Sequence, residues 1–143
     1  MIPCDNKVLG SKARQSHVIY SDDKGATWKL GGVVGLNCNE SQIAELPDGT
    51  LLLNMRSYEA NKLRLIAKST DGGLTFSKPA EDKTLIEPVC QASLLRYPGK
   101  DPLLLFSNPA NTRREKMTIR LSRDGGSSWP AARPLHAGPP AYP

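Results

Sequence analysis

Short apolar runs separated by turn residues dominate this chain, and none of them has the period of a helix. Twelve Gly and twelve Pro supply the turns between the runs. Frequent turns between short apolar segments are typical of sandwiches, barrels and propellers, so the pattern predicts an all-β protein. The predicted strands are Ile2–Asn6, His17–Tyr20, Leu63–Lys68, Gln91–Tyr97, Pro102–Ser107 and Met117–Leu121, the fourth and fifth being joined at Pro98-Gly99.

The clearest local signal is a hairpin around Pro47-Asp48-Gly49, which lies between two apolar-rich arms. Pro sets φ at the first turn position and Gly accepts the left-handed one, so a three-residue loop is predicted. If Leu46 pairs with Thr50, Glu40 lies directly opposite Arg56 near the open end of the ribbon. Such a pair is either a solvated cross-strand ion pair, worth about 0–1 kcal/mol, or part of a site. The hairpin alone leaves both open.

An octet of the form Ser-x-Asp-x-Gly-x-(Thr/Ser)-aromatic occurs three times, each time after an apolar strand. The Asp and Gly favour a tight turn between two strands, with the aromatic side chain folded back onto the sheet. A calcium loop is the alternative, but each octet has too few carboxylates for one. Repeats of about 50 residues that hold several short strands are typical of propeller blades. The octets are Ser21–Trp28, Ser69–Phe76 and Ser122–Trp129.

Composition and charge narrow the picture further. The 143 residues fit one domain, and the net charge of +5 is spread along the chain without a basic run, which argues against nucleic acid and suits a partner with a small anionic group. Three Cys without a CxxC spacing argue against a zinc site or a disulfide framework, and Cys38 and Cys90 are predicted to be small buried residues. No apolar run or N-terminal pattern predicts a membrane span or an export signal.

The octet is the Asp-box, and together with three further motifs it gives the chain a family resemblance. The motifs are Asn39-Glu40-Ser41-Gln42, Asn54-Met55-Arg56-Ser57 and Phe106-Ser107-Asn108-Pro109. With them the chain resembles the exo-α-sialidases, or neuraminidases, of the bacterial and animal non-viral type. The resemblance implies an all-β fold with about three blades of a six-bladed β-propeller. Residues 1–143 would then be an incomplete propeller domain with Asp-boxes at 21–28, 69–76 and 122–129.

The resemblance also implies roles for four residues. Glu40 matches the glutamate that takes a proton from a tyrosine nucleophile, and Arg56 matches the second of three arginines that bind the sialic acid carboxylate. Arg114 matches the third arginine, although the adjacent Arg113 leaves that register open by one residue. Tyr142 lies where the family has its nucleophile, but Pro143 follows where Ser is usual.

Two residues match the pocket rim of the family, and two groups are missing. Asp5 lies in the segment that meets the glycerol tail of the sugar, and Gln91 in the one near the ring hydroxyls. The first arginine and the aspartate that acts as general acid precede Met1 in the family order. The chain is therefore interpreted as a fragment that has little activity alone.

The function implied by the resemblance is a retaining glycoside hydrolase that removes terminal α-linked sialic acid from glycans, glycoproteins or glycolipids. No metal and no organic cofactor is implied, and family precedent suggests a secreted, periplasmic or lysosomal enzyme. The alternative is a non-catalytic Asp-box propeller that binds glycans or proteins. The set Glu40, Arg56, Arg114 and Tyr142 favours the enzyme, because a binding module does not need it.

Overall fold

A computed structural model describes residues 1–99 and 101–143 and shows an all-β chain, as predicted. These residues contain no helix, and therefore no helix that could span a membrane. The eleven strands are β1 (Ile2–Lys7), β2 (Arg14–Tyr20), β3 (Lys29–Leu36), β4 (Cys38–Glu45), β5 (Leu51–Ser57), β6 (Leu63–Ser69), β7 (Ala80–Ile86), β8 (Ser93–Arg96), β9 (Leu104–Pro109), β10 (Met117–Ser122) and β11 (Ala131–His136).

The strands form three antiparallel sheets in chain order. Sheet A contains β1 to β3, sheet B contains β4 to β7, and sheet C contains β8 to β11. Each strand pairs with its neighbour in sequence, so every sheet is a meander of the kind that makes a propeller blade. Contacts between β1 and β4 and between β4 and β8 join the first strand of sheet B to both other sheets.

Two apolar cores hold the sheets together, one on each face of sheet B. Leu53 and Met55 of β5 face sheet A, whereas Leu52 of the same strand faces sheet C, as the two-residue period of a strand requires. β5 is therefore almost fully buried. The core with sheet A contains Val18, Val34, Cys38, Leu53, Met55, Leu65 and Ala67, and that with sheet C contains Ala44, Leu46, Leu52, Leu85, Ala92, Leu94, Leu104, Phe106 and Trp129.

The β4–β5 hairpin has the predicted turn but not the predicted register at its open end. The Leu46 amide donates to the Thr50 carbonyl at 2.8 Å, so these two residues close the loop as expected. The pairing slips by one residue between Asn39 and Ser41, which places Asn39 opposite Arg56. The prediction that Glu40 lies directly opposite Arg56 is therefore wrong, because a β-bulge takes up the extra residue Glu40.

The three octets share one hydrogen-bond pattern, and each is a turn between the last two strands of a sheet. In the first octet the Asp23 carboxylate accepts from the Ser21 hydroxyl at 2.8 Å and from the Thr27 amide at 2.8 Å. Hydrogen bonds from Thr27 and Ser21 lower the pKa of Asp23 to about 2. The same bonds recur around Asp71 and Asp124. The octets are structural turns, as predicted.

The aromatic residue of an octet packs only where another sheet lies beside it. Phe76 packs against the core between sheets A and B. Trp129 lies 5.6 Å from the Phe106 ring and donates its indole N–H to Asp82 of sheet B at 3.0 Å. Trp28 is 47% exposed, because no sheet among the described residues covers that face of sheet A.

Candidate functional site

Glu40 and Arg56 form a close ion pair at the open end of the β4–β5 hairpin. Arg56 Nη1 lies 2.6 Å from Glu40 Oε2, and the two side chains are 14% and 32% exposed. Asn39, not Glu40, is the strand partner of Arg56. The bulge nevertheless turns the Glu40 side chain to the same face of the sheet as the Arg56 side chain. The Arg56 guanidinium also lies 5.2 Å from the centre of the Tyr58 ring, a cation–π distance. The guanidinium is therefore fixed on two sides.

Arg56 keeps hydrogen-bonding capacity that the described residues do not use. Its Nε is buried and has no hydrogen-bond partner among them, and only Nη1 bonds to Glu40. Burial would lower the pKa of Arg56, but the hydrogen bond and the charge of Glu40 raise it above its ordinary value. Nη2 also has no hydrogen-bond partner among the described residues, and a permanently charged, planar guanidinium with unused donors suits a carboxylate ligand.

Sheet A approaches the bulge through one buried hydrogen bond. The Ser16 hydroxyl donates to the Asn39 carbonyl at 3.1 Å. Ser16 is the strand partner of Asp5, so both side chains project from the same face of sheet A, towards sheet B. The Asp5 carboxylate lies 4.0 Å from Arg14, at the limit of an ion pair. Asp5 is thus on the face of sheet A that turns towards sheet B, and its role at the pocket rim stays a prediction.

The segment between β9 and β10 separates its two adjacent arginines. Arg113 is exposed and pairs with Glu115 at 3.3 Å. Arg114 Nη2 donates to the Val89 carbonyl at 3.3 Å, and its guanidinium lies 5.3 Å from the centre of the Tyr142 ring. Of the two arginines that the sequence leaves open, Arg114 is the one directed at Tyr142.

Tyr142 contacts one of the two candidate arginines. The centre of its ring lies 5.3 Å from the Arg114 guanidinium, a stacking distance. The ring is 55% exposed. No hydrogen bond joins its hydroxyl to Glu40 in the part of the chain that the structure describes. The predicted base therefore lies against Arg56 and the predicted nucleophile against Arg114.

Cys90 lies beside the C-terminal segment that carries Tyr142. The side chain is buried, as predicted, and Sγ lies 4.0 Å from the Ala141 carbonyl. Burial raises the pKa of the Cys90 thiol, while the charges of Arg114 and Arg56 act to lower it and that of Glu40 to raise it. The charges of candidate residues from sheets B and C thus act on the same thiol. The described residues contain no group of three or more His, Cys, Asp or Glu placed to hold a metal ion.

Gln91 follows Cys90 in the same segment. Its side-chain oxygen accepts from the Ala92 amide at 3.2 Å, which leaves the amide nitrogen for other partners. The side chain is partly buried. Gln91 is therefore next to the cluster, but no contact in the structure ties it to Glu40 or Arg56.

Sequence reasoning missed a buried ion pair beneath this cluster. Arg64 and Glu87 are 0% and 1% exposed, and Arg64 Nη1 lies 2.9 Å from Glu87 Oε2. Arg64 also donates to the Asn54 side chain at 2.7 Å and to the Cys90 carbonyl at 2.8 Å. Glu87 accepts from the Ser57 amide at 2.6 Å. The only sequence signal was the charged Arg64 inside the apolar strand β6. A charged residue at that place is equally typical of a surface-facing position.

The whole chain, residues 1–143, matches the family described as BNR repeat-like domain. It is 38% identical over 138 residues to a sialidase of Micromonospora viridifaciens, covering 91% of this chain and 21% of that protein. It is 40% identical over 119 residues to a sialidase of Bacteroides fragilis, covering 78% and 22%. The chain thus spans about a fifth of the length of these curated relatives.

Among solved structures, the chain is similar to the Hadza microbial sialidase Hz136. The TM-score is 0.80 at 37% identity, and the match covers 90% of this chain and 26% of that one. The three consecutive sheets correspond to part of a sialidase β-propeller, which confirms the predicted fold class.

Proposed function

Because the chain belongs to the BNR repeat-like domain family and, within it, to the sialidases, we propose that its protein is an exo-α-sialidase. It would remove terminal α-linked sialic acid from glycans, glycoproteins or glycolipids, with residues 1–143 as part of its propeller domain. The observation that carries this proposal is the partly buried Arg56 guanidinium paired with Glu40, together with the stack of Arg114 on Tyr142.

Arg56 and Arg114 are the proposed ligands of the substrate carboxylate. Sialic acid carries its carboxylate on the anomeric carbon, so the group that binds the anion also positions the reacting bond. Arg56 is held by Glu40 and Tyr58 and has an unused Nε, while Arg114 is held by the Val89 carbonyl. Two guanidinium groups fixed from behind can present their free edges to one carboxylate.

Tyr142 is the proposed nucleophile and Glu40 its base, in a retaining mechanism. A carboxylate nucleophile would approach the substrate carboxylate against like-charge repulsion, whereas a phenol approaches neutral; a Tyr nucleophile is a recognised exception among glycosidases. The phenol oxygen would bond to the anomeric carbon as the bond to the leaving oxygen breaks, and the phenolic proton would pass to Glu40. Glu40 keeps Oε1 for this proton, because Arg56 engages only its Oε2.

The remaining roles lie at the rim and outside this chain. Asp5 and Gln91 are proposed to bind the glycerol tail and the ring hydroxyls of the sugar. The resemblance places the first arginine and the group that protonates the leaving oxygen before Met1. General acid catalysis contributes about 10²–10⁴-fold, so residues 1–143 alone would hydrolyse sialosides slowly.

The test is hydrolysis of a fluorogenic α-sialoside by the full-length protein, with the first-formed anomer followed by NMR. Retention predicts that α-sialic acid is released first. Glu40→Gln should lower kcat by about 10²–10⁴-fold, because the amide cannot accept the proton. Glu45→Gln, at an exposed position of the same strand, should not change kcat. A folded wild type that binds sialosides without cleaving them would overturn the proposal in favour of a binding module.

A further inference from the structure

The buried pair of Arg64 and Glu87 joins the two parts of the candidate site from below. Glu87 Oε1 accepts a hydrogen bond at 2.6 Å from the amide of Ser57, the residue that follows Arg56 in β5. Arg64 Nη1 donates a hydrogen bond at 2.8 Å to the carbonyl of Cys90, the residue that follows Val89. One ion pair thus contacts the backbone beside Arg56 and the segment on which Arg114 rests.

The segment that the pair contacts, residues 87–91, contains a residue in an unfavourable backbone conformation. Val89 has φ of 56°, in the left-handed region. A β-branched residue there is a genuine outlier and persists only where the surroundings impose it. Two hydrogen bonds fix the chain on either side of Val89. The Glu87 amide donates to the Lys62 carbonyl at 2.9 Å, and Arg64 donates to the Cys90 carbonyl.

This conformation determines where the Val89 carbonyl points. That carbonyl accepts from Arg114 Nη2 at 3.3 Å and is the only described backbone group that the Arg114 side chain contacts by hydrogen bond. The Arg114 guanidinium in turn lies under the Tyr142 ring. A change at Val89 would therefore move a proposed substrate ligand and the ring of the proposed nucleophile together.

We propose that Arg64 and Glu87 are a positioning pair, which holds segment 87–91 in its strained form and so sets the placement of Arg114 relative to Arg56. The pair touches no substrate and acts through backbone groups. The inference rests on the proposed function for its effect on carboxylate binding, but the holding of the segment can be measured without any substrate.

The test compares two double variants in the full-length protein. Removal of one partner alone would leave a buried charge unpaired, whereas an apolar pair of similar volume is often tolerated. Arg64→Met with Glu87→Leu therefore removes the hydrogen bonds while keeping the core filled. Arg113→Met with Glu115→Leu makes the same change in the exposed pair next to Arg114 and is the matched control.

The first measurement is peptide-resolved labelling of Cys90 by N-ethylmaleimide. Cys90 is buried within the segment, and Cys38 is equally buried in the core between sheets A and B, so Cys38 reports global unfolding. We expect the Arg64/Glu87 variant to label at Cys90 about tenfold faster or more, with Cys38 unchanged, because only the segment opens. The control variant should label like the wild type. Unchanged labelling of Cys90 would overturn the inference.

The second measurement is the KM for a sialoside. The Arg64/Glu87 variant should raise KM by about tenfold or more and should lower kcat as well, since Arg114 and the Tyr142 ring would move together and misplacement by about 1 Å can cost about 100-fold. Adding Val89→Gly should restore KM in part, because Gly accepts positive φ without the penalty of Val. Faster labelling with an unchanged KM would overturn the positioning of Arg114. If the wild type cleaves no sialoside, the proposed function fails and the labelling still decides whether the pair holds the segment.

Discussion

Arg56 Nη1 donates to Glu40 Oε2 at 2.6 Å although Asn39, not Glu40, is the strand partner of Arg56. The bulge gives β4 one residue more than β5 at this point, so Asn39 and Glu40 share one opposing position. Bulges are frequent beside active sites because they redirect a side chain without ending the strand. Here the bulge brings a carboxylate to a guanidinium that is also available to a ligand.

The Arg56→Lys variant should raise the KM for a sialoside by about 10- to 100-fold. Lys keeps the charge but loses the fork that bonds both to Glu40 and to a carboxylate, and bonds to charged groups contribute about 1.5–3 kcal/mol. Steady-state kinetics would show the change. Arg113→Lys, at an exposed arginine, should leave KM unaltered. An equal effect of both variants would remove Arg56 from the binding site.

The Tyr142→Phe variant should lower kcat by at least about 10³-fold, because the phenol oxygen that would attack the anomeric carbon is gone. Its ring should still stack on Arg114, so binding of a sialic acid analogue should persist in calorimetry. Tyr97 is 54% exposed, close to the 55% of Tyr142, so Tyr97→Phe is the matched control with unchanged kcat. Full activity of Tyr142→Phe would exclude Tyr142 as nucleophile.

The Asp-box carboxylates should make the protein less stable in acid. Hydrogen bonds from Thr27 and Ser21 hold the pKa of Asp23 at about 2, below its ordinary value of 3.8. The native state therefore binds fewer protons than the unfolded state between these values, so stability present above pH 3.8 is lost as the pH falls towards 2. The measurement is Tm as a function of pH.

Asp23→Asn should weaken that pH dependence, because the amide does not titrate. Asp22→Asn changes the adjacent carboxylate, whose partner is the exposed Lys29, and should leave the acid limb of the curve in place. The prediction fails if both variants flatten the curve equally.

The Gly126→Ala variant should destabilise the fold more than Gly49→Ala. Both glycines have left-handed backbones, with φ of 82° and 84°, so Ala costs about 1–2 kcal/mol at either position. A Cβ at Gly126 would also lie 2.9 Å from Cδ2 of the buried Leu52, whereas nothing lies within 4 Å at Gly49. Overpacking adds about 1–3 kcal/mol. Denaturant unfolding measures the difference, and equal losses would contradict it.

Local sequence chemistry predicted the hairpin loop and the octets well, because both depend on residues a few positions apart. Pro47 and Gly49 specify the turn that Leu46 and Thr50 close. The bulge at Glu40 was not predictable, since no residue type there demands an extra position. Asn39, at the bulge, also accepts a hydrogen bond from Ser16 of sheet A, a contact between sheets that the hairpin sequence does not reveal.

The outer strand of each sheet had the weakest sequence signal. β11 is exposed along its whole length and contains Pro134, so it shows neither an apolar face nor strand-forming residues throughout. β3 and β7 bury two and one residues respectively. Such strands are specified by pairing with an inner strand, and the octet before each was the only local indication.

The buried pair of Arg64 and Glu87 depends on long-range packing. Arg64 lies in β6 between Leu63 and Leu65, where alternation predicts a solvent-facing charge. Sheet C covers that face, which the sequence of β6 alone does not reveal. Glu87 follows β7 in a connecting segment, so only the assembled sheets bring the two side chains together.

The octets also bear on the order in which the chain folds. The bonds that close each octet join residues at most four positions apart, for example Ser69 to Asp71 and to Gly73. Short loops carry the smallest closure entropy, so these turns can form before any two sheets meet. The contacts of β4 with β1 and β8 require distant segments and come later. We therefore expect three hairpins, each nucleated at its own octet, to form independently, and the docking of sheet B between its neighbours to limit the folding rate.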